Sequence, residues 1–434
     1  MKQKSWIDCE GNARRDFLKF GTAGLMGLSL SDVLRLEAAS QGTPKAKSII
    51  MIWLAGGPAT IDMWDLKPEA PNGIRGEFKP IGTAADGIQI SEHLPNLAKV
   101  MKHCAVVRSV RHTIPSHGPG TVYMHTGHKP TPALDYPSIG SLSSRLLTTP
   151  SGVPPYVTFG RDRDRAAMGG YLGPAYNPFQ VEGNGRNGDY RVRGLSLPSG
   201  VSLDQLANRA ELLDTFDTRF KALDQSGSIT GSLDQFQQQA LDMLRSAKTR
   251  TAFDLDEESD KLRDRYGRDG FGQGALAARR LIEAGVRFVS VGTGGWDTHG
   301  DNFKKLKDSK LPELDRTLSA LIEDLENRGL LDETMIYCTG EFARTPKVNG
   351  KGGRDHWAKS MAVLMAGGGF KRGYAYGTTT KDGMAPDDDP CTPADLCATM
   401  FHNLGIDAEE QLETPSGRSI ALFRDGRVLR NLLS

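Results

Sequence analysis

The sequence predicts an α/β protein, a three-layer sandwich built on a mostly parallel central sheet. Continuous apolar runs of strand length recur along the chain, beginning with 48–54, and such runs are typical of strands buried on both faces of a parallel sheet. Stretches with helical spacing alternate with these runs, as in 311–325, whose apolar residues fall on one face. Strands that alternate with helices indicate a sheet that is covered by helices on both sides.

The individual elements follow in chain order. Five apolar runs predict strands, at 48–54, 104–108, 285–291, 334–339 and 361–365. Apolar periodicity predicts helices at 94–101, 138–147, 275–284 and 311–325, and a longer helical pattern within 233–265. Gly, Pro, Asn and Arg are frequent at about 150–235 and the periodicity there is weak, which predicts a loop-rich insertion. We therefore expect residues 45–434 to form a single domain with this insertion.

The first 44 residues differ from this body. Arg14 and Arg15 precede Phe17-Leu18-Lys19, and an apolar stretch follows at 20–30. That stretch is too short to cross a bilayer, which takes about 20 residues. Charged, apolar and small residues in this order are typical of an export signal, and the paired arginines resemble a twin-arginine signal. We expect the twin-arginine export machinery to deliver the protein to the periplasm or the extracellular space, without a transmembrane segment.

The overall charge excludes some partners. The chain has 54 Lys+Arg against 53 Asp+Glu, a formal net charge of +1. This balance argues against nucleic acid and against a polybasic membrane-binding surface. The five cysteines contain no CxxC pair, so they do not identify a metal site or a disulfide framework. Function must therefore be sought in local clusters.

Polar side chains gather next to the predicted strands. In open α/β sheets ligands bind outside the carboxyl ends of the strands, so residues far apart in sequence should converge there. Six of the nine histidines lie in these segments. The clusters are 56–65, a loop with His112, Ser116, His117, His125 and His128, then 294–299, 340–345 and 353–357.

Histidine and carboxylate side chains are the ligands that a divalent metal such as zinc or manganese requires. Asp297 and His299 can face one ion from the same turn. Asp355 and His356 are adjacent, so one can ligate while the other orients it.

Other residues near these clusters leave alternatives open. Arg344 can pair with Glu341 or bind an anionic oxygen. Asp62 is either a turn residue or part of the site. A hydroxyl in the histidine-rich loop is the candidate nucleophile, and the choices are Ser116, Thr121 and Thr126.

Several motifs resemble an exported bacterial family of unknown function. They are GGPATIDMWDLKP (56–68), TGHKP (126–130), PSIGS (137–141), the run 263–291, GGWDTHGDNF (294–303) and GEFARTPKVNGKGGRDHW (340–357). With the leader, they cover nearly the whole chain and look like the domain-of-unknown-function family numbered fifteen hundred and one. That family is distantly related to sulfatases and alkaline phosphatases.

The resemblance implies an alkaline-phosphatase-like fold that holds one or two divalent metals, such as zinc, manganese, calcium or magnesium. The ligands it implies are Asp62, Asp297, His299, Glu341 and His356, and the residue pattern adds the adjacent Asp355. The nucleophile region it implies contains Ser116 and His117, and the hypothesis of hydrolysis adds Lys129 and Arg344 as catalytic residues. Glu341 stands where the superfamily has an Asp-His pair, which can leave one metal rather than two. No Cys occupies the nucleophile region, so the formylglycine of sulfatases is not expected.

Two functions follow from this sequence. The first is an exported, metal-dependent hydrolase of phosphate or sulfate esters, whose substrate is an anionic ester or a sulfated or phosphorylated glycan. In it Ser116 or a water attacks, Arg344 and Lys129 neutralise charge, and His117 or His356 moves protons. The second is a degenerate relative that binds glycan or another surface component without turnover.

Overall fold

The computed structural model describes residues 44–160, 165–183, 190–192, 239, 242–243 and 246–434. Residues Lys45–Ser434 form one compact unit. The predicted export leader lies outside the described residues, apart from Pro44. Its role therefore remains a prediction from the sequence.

Nine of the described strands form one central sheet. In chain order they are β1 (Ser48–Leu54), β2 (Cys104–Val110), β3 (Tyr156–Gly160), β4 (Phe179–Glu182), β5 (Arg191–Val192), β6 (Phe288–Thr293), β7 (Thr334–Thr339), β8 (Met361–Ala366) and β9 (Tyr374–Tyr376). Across the sheet the order is β9-β2-β8-β7-β1-β6-β3-β4-β5. β1 is parallel to β6 and β7, and β3 is parallel to β4 and β6. The mostly parallel sheet confirms the predicted fold class.

One interior strand reverses direction. β8 is antiparallel to both of its neighbours, β2 and β7. Two reversals leave β2 running in the same direction as β7, so the carboxyl ends of β1, β2, β6 and β7 lie at one edge. The residues that precede β8 lie at that same edge, because β8 begins there. Segments after four strands and before a fifth therefore converge.

Helices cover the sheet. They are α1 (Pro95–Val100), α2 (His117–Thr126), α3 (Ile139–Leu146), α4 (Ala247–Phe253), α5 (Asp260–Tyr266), α6 (Gly270–Ala284), α7 (Asn302–Lys305), α8 (Leu311–Asn327) and α9 (Pro393–Asn403). Four short strand pairs lie outside the sheet, at Pro80–Gly82 with Gln89–Ser91, Ala343–Arg344 with His356–Trp357, Thr378–Thr379 with Pro386–Asp388, and Gln411–Glu413 with Ser419–Ala421.

The alternation of side chains along β1 explains the three layers. Ile50 and Ile52 face a core shared with α6 and α8, whereas Ile49 and Met51 face a second core shared with α2, α3 and α9. Successive side chains of a strand point to opposite faces, so one continuous apolar run can serve both cores. The run 48–54 is buried throughout for this reason.

Two strand boundaries differ from the sequence prediction. The run 285–291 becomes a strand only at Phe288, because Gly285 adopts a left-handed conformation (φ 106°) and ends α6. The run 104–108 extends to Val110. Glycine adopts positive φ without a steric penalty, so the helix end rather than the apolar run sets the first boundary.

The stretch predicted as a loop-rich insertion also contributes strands. β3, β4 and β5 all come from it and extend the sheet on the side of β6. They span five, four and two residues, too short for the periodicity to stand out from the surrounding glycines and prolines. Residues 193–235 of this stretch lie outside the described part of the chain.

No helix among the described residues is both long enough and apolar enough to cross a membrane.

Candidate metal centre

Three histidines meet around the carboxylate of Asp297, which follows β6. Nε2 of His299 lies 3.1 Å from Oδ1 of Asp297, and Nε2 of His356 lies 3.4 Å from the same oxygen. Nε2 of His117 lies 3.5 Å from Oδ2. The three rings come from α2, from the turn after β6 and from the segment before β8, so the converging strand ends create this cluster.

The other ring nitrogen of each histidine has its own partner. Nδ1 of His117 lies 2.6 Å from Oε1 of Glu341, and Nδ1 of His299 lies 2.7 Å from Oδ1 of Asp355. Nδ1 of His356 lies 3.0 Å from the carbonyl oxygen of Pro115. Carbonyl and ionised carboxylate oxygens only accept hydrogen bonds, so each Nδ1 must carry the proton. Nε2 is therefore the nitrogen that each ring directs at Asp297.

The Nε2 atoms of the three rings and the carboxylate of Asp297 lie close together. Nε2 of His299 and Nε2 of His356 are 3.0 Å apart. One ligand atom each from His117, Asp297 and His356 can be chosen so that all three lie within 4.8 Å of one another. Imidazole nitrogen and carboxylate oxygen are the donors of borderline divalent metals, so the residues present fit such an ion.

The pKa shifts keep the cluster in its metal-binding form. Burial lowers the pKa of His356, which favours the neutral ring. Burial alone would raise the pKa of Asp297, but the hydrogen bond and charge of Arg344 outweigh it and lower that pKa. The hydrogen bond from His299 lowers the pKa of Asp355. Near neutral pH the carboxylates are therefore ionised and His356 is neutral.

Glycines bring the backbone close to the cluster. Gly56, in the turn after β1, has φ 117°, and a Cβ atom there would lie 2.4 Å from the nitrogen of Asp297. Its own N–H donates to Oε1 of Glu341 at 2.9 Å. A Cβ at Gly353 would lie 2.1 Å from the carbonyl carbon of His299. Only glycine permits these approaches, which hold Glu341 and His299 in place.

Arg344 is part of the cluster, and most of its donors already have partners. Its side chain is buried and contacts Oδ1 of Asp297. Nε donates to the carbonyl of Gly57 at 2.7 Å, and the remaining nitrogens contact the carbonyls of Gly56 and Arg354. Arg344 therefore pairs with Asp297 rather than with Glu341, and its binding of an anionic oxygen stays a prediction.

Asp62 lies apart from the histidines, in a buried ion pair. Its two oxygens accept from Nε and Nη2 of Arg354, both at 2.7 Å, and Asn302 donates to Oδ2 at 2.8 Å. Burial raises the pKa of Asp62, and Arg354 opposes this shift. The structure does not bring Asp62 together with the other predicted ligands, because these partners already use its oxygens.

The predicted hydroxyl and lysine candidates lie at different ends of α2. Ser116 precedes the helix, is exposed, and makes no capping hydrogen bond with its side chain. Thr121 and Thr126 are buried, and each donates to a carbonyl one turn back in α2, at 2.8 and 2.7 Å. Lys129 follows the other end of this ten-residue helix, roughly 15 Å from His117 along the axis. Of these four, only Ser116 adjoins the cluster.

Sequence reasoning missed three partners of the site. Arg354 binds Asp62, the carbonyl of Pro115 fixes His356, and Asn349 donates to Oδ1 of Asp355 at 3.2 Å. Arg354 stands inside the GGRDHW motif, next to the predicted ligands Asp355 and His356, and that position was its only signal. No residue type could mark Pro115, since its contribution is a backbone carbonyl.

Comparison with known families agrees with the motifs. The profile of the family described as Protein of unknown function (DUF1501) matches residues 46–433, and the chain belongs to this family. No curated protein matches the chain.

Several solved structures align with this chain at low sequence identity and low TM-score. A sulfatase from Pseudoalteromonas sp. is 14% identical, with a TM-score of 0.41 over 92% of this chain and 74% of the other. A phosphonate monoester hydrolase from Silicibacter pomeroyi is 12% identical, with a TM-score of 0.36 over 89% and 76%. The TAB5 alkaline phosphatase is 12% identical, with a TM-score of 0.34 over 79% and 96%. Similarity at this level assigns no function to this chain.

Proposed function

We propose that this protein is an exported, metal-dependent hydrolase that acts on phosphate or sulfate esters, including esters carried by polysaccharides. The observation that supports the proposal most strongly is the set of three imidazole Nε2 atoms directed at Asp297, with every Nδ1 committed elsewhere. These Nε2 atoms and the Asp297 carboxylate are the donor atoms that a divalent ion would take.

In this proposal Asp297, His117 and His356 hold one divalent ion, and His299 lies beside them as a further donor. Glu341 and Asp355 orient the rings of His117 and His299 rather than binding metal themselves. Three imidazoles favour zinc over manganese, calcium or magnesium, which prefer oxygen ligands. A bound divalent ion supplies Lewis-acid polarisation of the ester oxygen. His117, assigned to proton transfer in the sequence analysis, thus becomes a ligand.

Ser116 is the nucleophile in this proposal. It is exposed at the amino end of α2, and the next residue, His117, belongs to the cluster. The amino end of a helix favours negative charge, which helps the hydroxyl to lose its proton and stabilises an anionic ester beside it. Ser116 Oγ would attack the phosphorus or sulfur, the bond to the alcohol oxygen would break, and water would then release the free anion.

Export by the twin-arginine route is the second part of the proposal, and it rests on residues 1–44. Replacing both Arg14 and Arg15 with lysine keeps the charge but removes the paired arginines that the machinery reads. We expect the double variant to stay in the cytoplasm, as measured by cell fractionation. Normal export of the double variant would refute the route.

A non-catalytic glycan-binding protein is the alternative, and one observation favours it. The two buried arginines nearest the cluster, Arg344 and Arg354, are both committed to carboxylates and carbonyls of the protein itself. Neither offers a free guanidinium to an ester anion. In this alternative the protein binds the ion and a glycan but does not turn over.

One experiment tests the function and separates the alternatives. The full-length protein is purified, its metal content is measured by mass spectrometry, and hydrolysis of 4-nitrophenyl phosphate and 4-nitrophenyl sulfate is followed. We expect about one ion per chain and hydrolysis of at least one ester, with both lost in His117→Ala and His356→Ala. His402→Ala is the matched control because His402 lies on α9, outside the cluster.

The same experiment distinguishes the remaining outcomes. A Ser116→Ala variant that keeps its metal but loses hydrolysis supports the assigned nucleophile. Metal without hydrolysis of any ester supports the glycan-binding alternative. Metal content unchanged in His356→Ala would refute the metal centre itself.

A further inference from the structure

A cavity that does not include the metal centre lies at the carboxyl end of α2, the end away from His117. Its volume is about 560 Å³. One wall is the loop that follows α2, and the other is formed by the turn 414–418, the strand Ser419–Ala421 and the residues after that strand. α2 separates this cavity from His117, since the helix begins at the metal centre and ends beside the cavity wall.

Aromatic rings and a hydrogen bond connect the two walls of this cavity. The rings of His128 and Tyr136 are stacked, 3.9 Å between centroids and 6° between planes. Nε2 of His128 donates to the carbonyl of Leu422 at 2.6 Å, which ties the loop after α2 to the chain that follows the strand pair. The ring of Phe423 lies beyond His128, at 6.2 Å. The cavity is therefore held open by packed rings and a hydrogen bond that crosses between its two walls.

Two arginines line the cavity without a carboxylate partner. Arg418 and Arg424 are exposed, and the ion pairs of the described residues include neither of them. Most other guanidinium groups of the fold have such partners, as Arg279 does with Glu258. Asp425 is the one acidic residue among the described lining, so the cavity has a net positive charge. Guanidinium groups in this state bind oxyanions with paired hydrogen bonds.

Hydroxyl groups complete the lining. They come from Thr131, Tyr136, Thr414, Ser416 and Ser419. Hydroxyls both donate and accept, so they match the hydroxyls of a sugar as well as an oxyanion. A neighbouring cavity of about 360 Å³ shares Thr131, Leu134 and Tyr136 with this one.

We propose that this cavity is a saccharide-binding site that takes a sugar unit carrying an oxyanion, with Arg418 and Arg424 as the anion contacts. The site does not depend on the metal centre or on hydrolysis. Its volume falls within the range of small-ligand sites, about 300–1,000 Å³. Sulfate, phosphate and carboxylate groups share the chemistry that the two arginines recognise.

Calorimetric titration of the full-length protein tests this proposal. The probes are glucose 6-sulfate, glucose 6-phosphate, glucuronic acid, glucose and inorganic sulfate. We expect at least one charged sugar to bind more tightly than both glucose and inorganic sulfate, and the arms with different anions identify the preferred group. The double variant Arg418→Gln with Arg424→Gln should weaken that binding about ten-fold or more, because two charge-assisted contacts are lost.

Two controls make the result decisive. Arg430→Gln changes an exposed arginine outside the cavity and should leave the sugar affinity unchanged. Asp297→Asn removes ester binding at the metal centre, so the sugar binding that persists in this variant reports the cavity. Equal loss of binding in Arg430→Gln, equal affinity for inorganic sulfate and the sugar, or no binding by any charged sugar would overturn the proposal. Binding that disappears only in Asp297→Asn would place the sugar at the metal centre instead.

Discussion

Two aspartates at the carboxyl edge of the sheet, Asp62 and Asp297, look alike in the sequence but have opposite surroundings. Each follows a central strand and each pairs with a buried arginine, Asp62 with Arg354 and Asp297 with Arg344. The Asp62 side chain is 1% exposed, and Arg354 and Asn302 donate to both of its oxygens. The Asp297 side chain is 44% exposed, and Nε2 of each of three histidines lies 3.1–3.5 Å from one of its oxygens.

The difference shows how to separate a structural carboxylate from a ligand. Around Asp62 the number of donors matches the acceptors, so the pair needs no ion. Around Asp297 three imidazole Nε2 atoms share the carboxylate with Arg344, and imidazole and carboxylate together are a donor set that a divalent ion can use. A buried arginine partner is common to both sites, whereas the exposure of the carboxylate and the groups that face it distinguish them.

The largest expected effect is the loss of stability when the satisfied pair is broken. Arg354→Met leaves Asp62 buried without its partner, so the free energy of unfolding should fall by about 3–5 kcal/mol. Chemical denaturation measures the change. The double variant Asp62→Asn with Arg354→Met should recover part of it because no buried charge remains. A loss below about 1 kcal/mol in Arg354→Met would show that the pair is not structural.

A histidine in a satisfied environment should respond to pH in a characteristic way. His112 is buried, Nε2 donates to the carbonyl of Glu341 at 3.0 Å, and Nδ1 accepts from the N–H of Ile114 at 3.3 Å. Burial lowers the pKa of His112 to about 4, below the value of 6.5 for an unperturbed ring. The unfolded chain therefore binds this proton first as the pH falls.

The sign of the effect follows from that order. The contribution of His112 to stability is complete above about pH 6.5 and is lost as the pH falls toward 4, up to about 3 kcal/mol. The unfolding free energy of His112→Gln should depend less steeply on pH in this window than that of the unchanged protein. Parallel pH profiles of the two proteins would contradict the buried neutral ring.

Replacement of Asp297 should change metal binding strongly and stability little, the opposite of what is expected for the Asp62 pair. Asp297→Asn should weaken zinc binding about 100-fold or more, because a charged ligand and its orienting contacts are lost. Since Asp297 is exposed, the unfolding free energy should change by only about 1 kcal/mol. Zinc titration and denaturation of the same preparation measure both quantities. Comparable losses of stability in Asp297→Asn and Arg354→Met would remove the contrast between the two sites.

The smallest effects belong to the carboxylates that orient the rings. Glu341→Gln should weaken zinc binding about 10-fold to 100-fold, because Glu341 is buried and holds His117. Asp355→Asn should have an effect near the lower end of that range, since Asp355 is exposed and holds His299. A larger effect for Asp355→Asn than for Glu341→Gln would show that His299 is the more important ligand.

Much of the fold could be predicted from the sequence, and part of the site could be predicted as well. The apolar runs located β1, β7 and β8, and the rule that ligands lie at strand ends brought Asp297, His299 and His356 together. The roles within the cluster were not accessible. Nothing in the sequence distinguishes Asp62 from Asp297, because the difference comes from Arg354 and Asn302, which approach Asp62 from distant segments.

Backbone geometry explains the other differences. The partner of His356 is a carbonyl, which every residue has, so no motif could reveal it. The sequence predicts that Arg344 pairs with Glu341 or binds an anionic oxygen. It could not reveal that the glycine turn after β1 places the carbonyls of Gly56 and Gly57 next to its donors. Lys129 follows His117 by twelve positions, and an intervening helix turns this modest sequence separation into a large distance.

The most direct test of the central claim is X-ray absorption spectroscopy of the full-length protein loaded with zinc. If the three imidazoles around Asp297 form the site, the spectrum should show a nitrogen and oxygen shell at about 2.0–2.2 Å with the outer-shell scattering of at least two imidazoles. His356→Ala should reduce that imidazole contribution. A shell made only of oxygen, or a protein that retains no zinc, would contradict the account.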